Sequence, residues 1–184
     1  MANVPVLIFH SNYENYLKIN CEITSENNNV IFLGDETCER LGKINNVDFY
    51  NFNDFIDDEK MAYYKGYFKN YNSKGDFIWI WYFKLFSILE FLNQTGINSV
   101  FHIDSDNILL DNINLLEYKH ENSFFVLNDW DEFHMTGSIH SGLTSKKLYE
   151  LFADLYEDIF INKINSIISI SILWTIFNLI SSCN

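Results

Sequence analysis

Val100-Phe101-His102-Ile103-Asp104-Ser105-Asp106-Asn107-Ile108-Leu109-Leu110 passes straight from an apolar strand into an Asp-Ser-Asp turn. Two carboxylates at i and i+2 lie on one side of a continuing strand, and a turn at the strand end can aim both at one ion. Hard divalent cations such as Mg²⁺ and Mn²⁺ take oxygen ligands, often one or two carboxylates with substrate phosphates completing the set. Asp-x-Asp also occurs in ordinary solvated turns. What surrounds the triplet separates the two readings.

Upstream, Phe77 to Leu92 is apolar except for Lys84, Ser87 and Glu90 at successive i+3 steps. So narrow a polar stripe predicts a helix buried on most of its circumference. With a central lysine it is too short and too charged for a membrane span. Gly96 ends it. Residues 51–76 read as loop and short helix. The first third alternates apolar strands (Val4–Phe9, Val30–Leu33, Val47–Tyr50) with helical patterns. Ser11 or Asn12 can cap a helix carrying Tyr13, Tyr16, Leu17 and Asn20-Cys21. Glu36 to Lys43 forms a short helix after Gly34-Asp35. Fully apolar strands alternating with helices imply an α/β fold with a mostly parallel sheet covered on both faces. The opening looks like a Rossmann-like, nucleotide-binding βαβ half. Ligands in such sheets bind beyond the carboxyl ends of the strands, where Asp104-Ser105-Asp106 falls.

Downstream, Phe124–Leu127 reads as a strand ending in Asn128-Asp129. Ser145 caps an amphipathic helix whose Leu148, Leu151, Phe152, Leu155, Ile159 and Phe160 share a face. The division expected is one domain over 1–163 and an apolar C-terminal helix over 164–184. Ser and Asn residues make the 164–180 stretch too polar for a membrane span, so weak contact with a membrane or partner is the expectation there. Asparagine and isoleucine are abundant on strands and loops alike, which reads as compositional bias.

The 184 residues suffice for one domain core. Twenty-five acidic against 12 basic residues give a net charge of −13, and Arg40 is the only arginine. That balance argues strongly against a nucleic-acid backbone or an anionic membrane surface as partner. Cys21, Cys38 and Cys183 lack C-x-x-C spacing and read as thiols in a reducing compartment. The start, MANVPVLIFHSN, has no positive n-region and reads as a first strand, making the cytoplasm the default location. The seven glycines form neither G-x-G-x-x-G nor a Walker A loop.

Trp81-Tyr82-Phe83, Leu85, Leu89 and Phe91-Leu92, then Gly96-Ile97 and Val100 to Asp106, together resemble the core of GT-A-fold glycosyltransferases with a DxD sugar-binding region. The resemblance covers roughly 4–177, its specific part about 79–110. It implies sugar transfer from a nucleotide-diphosphate donor to a glycan or other hydroxyl acceptor, with Mn²⁺ (or Mg²⁺) offsetting charge on the leaving diphosphate. Carried over by position, Asp106 ligates the metal, and Asp104 contacts metal, ribose or donor sugar with Ser105 between them. His10 and Ser11, on the loop that runs to Tyr13, lie near the nucleotide, and Asp35 near base or ribose. Asp35 reads equally as a turn residue, and Tyr13 as helix packing. Met135 to Gly142 resembles the small-residue segment lining the donor pocket, with Gly142 allowing close backbone approach. Asp129 and Asp131, flanking Trp130, are the candidate catalytic bases for an inverting transfer. His102 reads as a core or supporting histidine.

The family usually continues past this point with a late His-containing segment, whereas this chain ends at Asn184 with Ser and Ile where an aspartate is common (Ile168 to Trp174). A C-terminally shortened member is therefore expected. The alternative function is a non-catalytic pseudo-transferase that binds the nucleotide-sugar without the closing segment.

Overall fold

A computed structural model describes residues 3–68, 75–115, 123–126 and 137–158. The described residues divide into two compact units, one from 1–54 with 97–145, the other from 55–96 with 146–184.

The first unit holds a six-stranded sheet ordered β3-β2-β1-β4-β6-β5. Its strands are β1 (Val6–His10), β2 (Val30–Gly34), β3 (Val47–Asn51), β4 (Ser99–Asp104), β5 (Ser123–Val126) and β6 (Gly137–Ser145). β1, β2, β3 and β4 run parallel, while β6 is antiparallel to both β4 and β5. The four parallel strands all have apolar runs legible in sequence, and β5 falls on the Phe124–Leu127 run read as a further strand. β6 overlaps Met135–Gly142, the segment that by resemblance lines the donor pocket, and its glycines, serines and threonines carry little strand signal. Flanked by β4 and β5, it is nevertheless a nine-residue strand.

Period-2 alternation divides the strand side chains. Val6, Ile8, Val30, Phe32, Phe101 and Ile103 form one core with Leu17 and Cys21 of α1 (Asn15–Thr24) and with Cys38 and Leu41 of the 3₁₀ helix Glu36–Lys43. Leu7, Leu33, Val100 and His102 point to the opposite face and are equally buried. Each fully buried Leu, Ile or Phe contributes about 1.5–3 kcal/mol by leaving water.

Neither Ser11 nor Asn12 caps α1. The N-cap is Glu14, without a side-chain bond, and Asn12 instead adopts a left-handed backbone (φ 67°). Asparagine tolerates that conformation, which turns the loop so that its amide meets Asp35. Asp35 is itself the cap of the following 3₁₀ helix, accepting from the Thr37 amide.

The second unit contains α2 (Asp58–Phe68), α3 (Gly75–Thr95) and α4 (Lys146–Tyr156). α2 is the short helix expected within 51–76, a stretch that reads as loop and short helix. Its start was encoded in Asp57, whose Oδ1 accepts from the amides of Glu59 (2.9 Å) and Lys60 (3.0 Å). The polar stripe of α3 is used as its narrowness requires: Ser87 is fully buried and donates to the Phe83 carbonyl, and Glu90 pairs with Lys60 of α2 at 2.8 Å. Met61, Tyr64, Phe86 and Tyr156 form the core here, with the Tyr64 and Phe86 rings stacked at 4.6 Å. Among the described residues no helix is long and apolar enough to cross a membrane. The 164–184 segment lies outside them.

Candidate functional site

The strand order creates a switch point. From β1 the chain builds β2 and then β3 outward on one side, and β4 later joins the other edge of β1. Connections leaving the carboxyl ends of β1 and β4 therefore diverge, the place where open α/β sheets take ligands. In register, Phe9 pairs with Asp104, which sets His10 beside Ser105.

Asp104 is the last residue of β4, and the Asn107 amide returns to its carbonyl at 2.9 Å, closing a tight turn over Ser105 and Asp106. Ser105 Oγ shares a hydrogen bond with His10 Nδ1 at 2.9 Å and lies 3.3 Å from the Tyr16 hydroxyl. The His10 ring stands edge-on to Tyr16, with centroids 5.9 Å apart. Beneath the turn, the buried Asn20 amide of α1 donates to both the Ser105 and Asn107 carbonyls, each at 2.7 Å. On the other side, Asn107 Nδ2 donates to Ser141 Oγ of β6 at 3.2 Å. The turn is thus anchored from β1, α1 and β6 together.

The anchoring continues along the chain. Thr24 Oγ1 donates to Asn20 Oδ1 at 2.9 Å and accepts from the Leu109 amide at 3.3 Å. Asn28 donates to the Asp111 carbonyl and accepts from the Ile113 amide, both at 3.0 Å, while Asn27 reaches the Leu110 carbonyl at 3.2 Å. Residues 105–113 have no strand neighbour to satisfy their backbone, so side-chain amides do it. Two of the asparagines that composition presents as bias have a positional role: Asn20 and Asn28, with Thr24 between them, recur every four residues in one row facing this loop.

Among the donor-site candidates, His10, Asp104, Ser105 and Asp106 come together at the ends of β1 and β4. Asp104 is half-buried and Asp106 exposed; Ser11 is exposed on the adjoining loop. Asp35 sits one strand over with both oxygens engaged, Oδ2 accepting from the Asn12 amide (2.6 Å) and Oδ1 from the Thr37 amide (3.0 Å) and hydroxyl. Partial burial opposes its ionisation, but the Thr37 hydroxyl and the Asn12 and Thr37 amides outweigh that and hold the carboxyl below its ordinary range. Gly142 is buried inside β6, in register with His102 of β4 and Phe124 of β5. Tyr13 packs on the core, with the Arg40 guanidinium 3.8 Å above its ring. Asp129 and Asp131 lie outside the described residues.

Asp104 and Asp106 are hard oxygen donors, and among the described residues no group of three or more His, Cys, Asp or Glu converges on an ion. Two carboxylates at an open strand end do not make a closed protein cage. They do fit Mg²⁺ or Mn²⁺, which retain positions for water and phosphate oxygens. No protein-family model and no curated protein matches this chain.

Asn20 and Thr24 are the site residues that sequence reasoning missed, whereas Asn107 falls in the 100–110 stretch and Ser141 in the Met135–Gly142 segment already singled out. The available signal was a polar residue, Asn20, at a core-facing helix position beside Leu17 and Cys21.

Proposed function

We propose that this chain is a GT-A-like, metal-dependent glycosyltransferase that takes a nucleotide-diphosphate sugar at the carboxyl ends of β1 and β4. The observation that carries the reading is the Asp104-Ser105-Asp106 turn at the sheet's switch point, fixed by His10, Asn20 and Asn107. Fixed donors at a ligand-binding strand end cost little reorganisation when charge arrives. A bound divalent cation would offset the negative charge that grows on the leaving diphosphate.

Asp106, exposed beyond the turn, and Asp104, at the strand terminus, hold the cation. His10 and Tyr16 orient the Ser105 hydroxyl towards the donor. An acceptor hydroxyl needs a carboxylate base if configuration inverts, and Asp129 and Asp131 are the candidates for that role.

The test is thermal stability with UDP or GDP, each with and without Mn²⁺, and CMP as control. A ligand that binds the folded state raises the melting temperature by mass action. A Mn²⁺-dependent rise with one diphosphate, lost in Asp106→Ala while that variant keeps its unliganded melting temperature, is the expected result. An equal rise in Asp106→Ala, or none in the folded wild type, overturns the proposal.

A further inference from the structure

On the far side of α1 from the Asp-Ser-Asp turn lies an open cleft of about 640 Å³ between α1 and the 3₁₀ helix. Tyr16 and Asn20 face the turn, whereas Lys18 and Glu22 line the cleft. An offset of two residues is about 200° around a helix, so the two sites occupy opposite faces of α1.

The charge in this cleft runs against the molecule. The protein carries −13 overall, yet Lys18, Arg40 and Lys43 all line this one space. They are the only lysine or arginine side chains among the described residues of the sheet unit. Glu22 pairs with Lys18 at 3.5 Å, and no carboxylate among the described residues forms an ion pair with Arg40 or Lys43. The lining thus holds three cations against one carboxylate. Arg40 is also pre-positioned, with its guanidinium held over the Tyr13 ring, which leaves the N–H edge for a partner. Leu41 and Ile44 add apolar wall.

We propose that this cleft binds a small phosphate-bearing molecule, with Arg40 and Lys43 holding the phosphate. A phosphate monoester carries about −1.5 to −2 at neutral pH, opposite in sign to the cationic lining. The volume exceeds what a bare phosphate fills, so the organic body of an ester has room against Leu41 and Ile44. Arginine presents a planar fork to phosphate oxygens, and lysine adds a point charge. The site requires no divalent ion and does not depend on the transferase reading.

The experiment is a titration of the full chain, followed by amide NMR, with inorganic phosphate and with glycerol 3-phosphate. It is run in EDTA at constant ionic strength, with sodium chloride and glycerol as controls. Saturable shifts at Tyr13, Lys18, Arg40 and Lys43 are expected with both phosphates and with neither control. Affinity falls at least about tenfold in Arg40→Ala and in Lys43→Gln, since each removes a charged hydrogen-bond donor. Both side chains are exposed, and Arg40→Lys, which keeps the charge but loses the fork, gives a second reading with an intermediate loss. Asp106→Ala binds as the wild type does. Absence of saturation, or affinity unchanged in Arg40→Ala and Lys43→Gln, overturns the proposal.

Discussion

The side-chain amide of Asn20, buried on α1, donates to the Ser105 carbonyl at 2.7 Å and, with its second hydrogen, to the Asn107 carbonyl at the same distance. One helix residue therefore fixes both shoulders of the Asp-Ser-Asp turn. Asn20→Ala leaves both carbonyls without that donor and is expected to lower stability by about 1–3 kcal/mol. It should also weaken Mn²⁺-dependent diphosphate binding. Asn20→Asp, which replaces the donor with a carboxylate facing two carbonyls, is expected to be worse. Urea unfolding measures the first effect and titration calorimetry the second; wild-type stability in Asn20→Ala would refute the anchoring role.

Asp35 carries a pH signature. Its carboxyl is held below the ordinary range by the Thr37 hydroxyl and the amides of Asn12 and Thr37, against the opposing effect of partial burial. The unfolded chain thus binds a proton more readily than the folded one, and stability rises with pH through that window. The contribution is complete above the unfolded value of about 3.9 and is lost as pH falls through the folded value. Asp35→Asn should therefore be less stable than wild type at neutral pH by an amount that shrinks below about pH 4. Denaturant melts of both proteins across that range check it, and a pH-independent difference would contradict it.

Gly34 closes β2 where there is no room for a side chain. A Cβ would stand 2.8 Å from Phe32 Cε1, 3.0 Å from Cys38 Cβ and 3.1 Å from the His10 carbonyl oxygen. Gly34→Ala should cost about 1–3 kcal/mol through overpacking. Because His10 is among the atoms displaced, diphosphate binding should fall with it. Gly66→Ala, at a position with nothing within 4 Å, is the matched control, expected to leave diphosphate binding unchanged.

Cys21 and Cys38 are buried in the sheet unit's core. Burial first, then the charges of Cys38 and Glu22, pushes the Cys21 thiol up to about 12. Burial also dominates at Cys38, raising it to about 11 despite the Thr37 hydrogen bond. Thiolate is the reactive form, so both should resist iodoacetamide at pH 8 in the folded protein and react once it is unfolded. Mass spectrometry of the tryptic peptides reads this directly. Rapid native alkylation at either position would show that the core around it opens.

The sequence made the parallel half of the sheet legible because burial on both faces demands unbroken apolar runs, as in Val6-Leu7-Ile8 and Val30-Ile31-Phe32-Leu33. The meeting of His10 with Ser105 was partly legible, since both mark strand ends. Their adjacency, however, depends on β4 joining the free edge of β1, which no local pattern specifies. β6 was illegible because Ser138, Ser141, Gly142 and Thr144 lack the apolar alternation of a strand, and its pairing with β4 and β5 supplies what local propensity does not. Asn20, Thr24 and Asn28 were hidden differently. Their partners are backbone groups of a loop more than 80 residues away, and the identity of a backbone group leaves no trace in sequence.

Those same long-range bonds set an order of assembly. The contacts tying residues 105–114 to the first 28 residues span 83 to 110 residues, among them Asn27 to Leu110, Asn28 to Asp111, Asn20 to Ser105, and Asn114 to Val4. Such closures carry the largest entropy cost and are rewarded only after the elements they join exist. β1, α1 and β2 form from contacts within the first 34 residues. During synthesis that platform emerges long before Asp104 does. The segment bearing the two carboxylates is then received by a surface already made, so its closure belongs late in folding. Substitutions at Asn20 should accordingly speed unfolding while leaving the folding rate nearly unchanged.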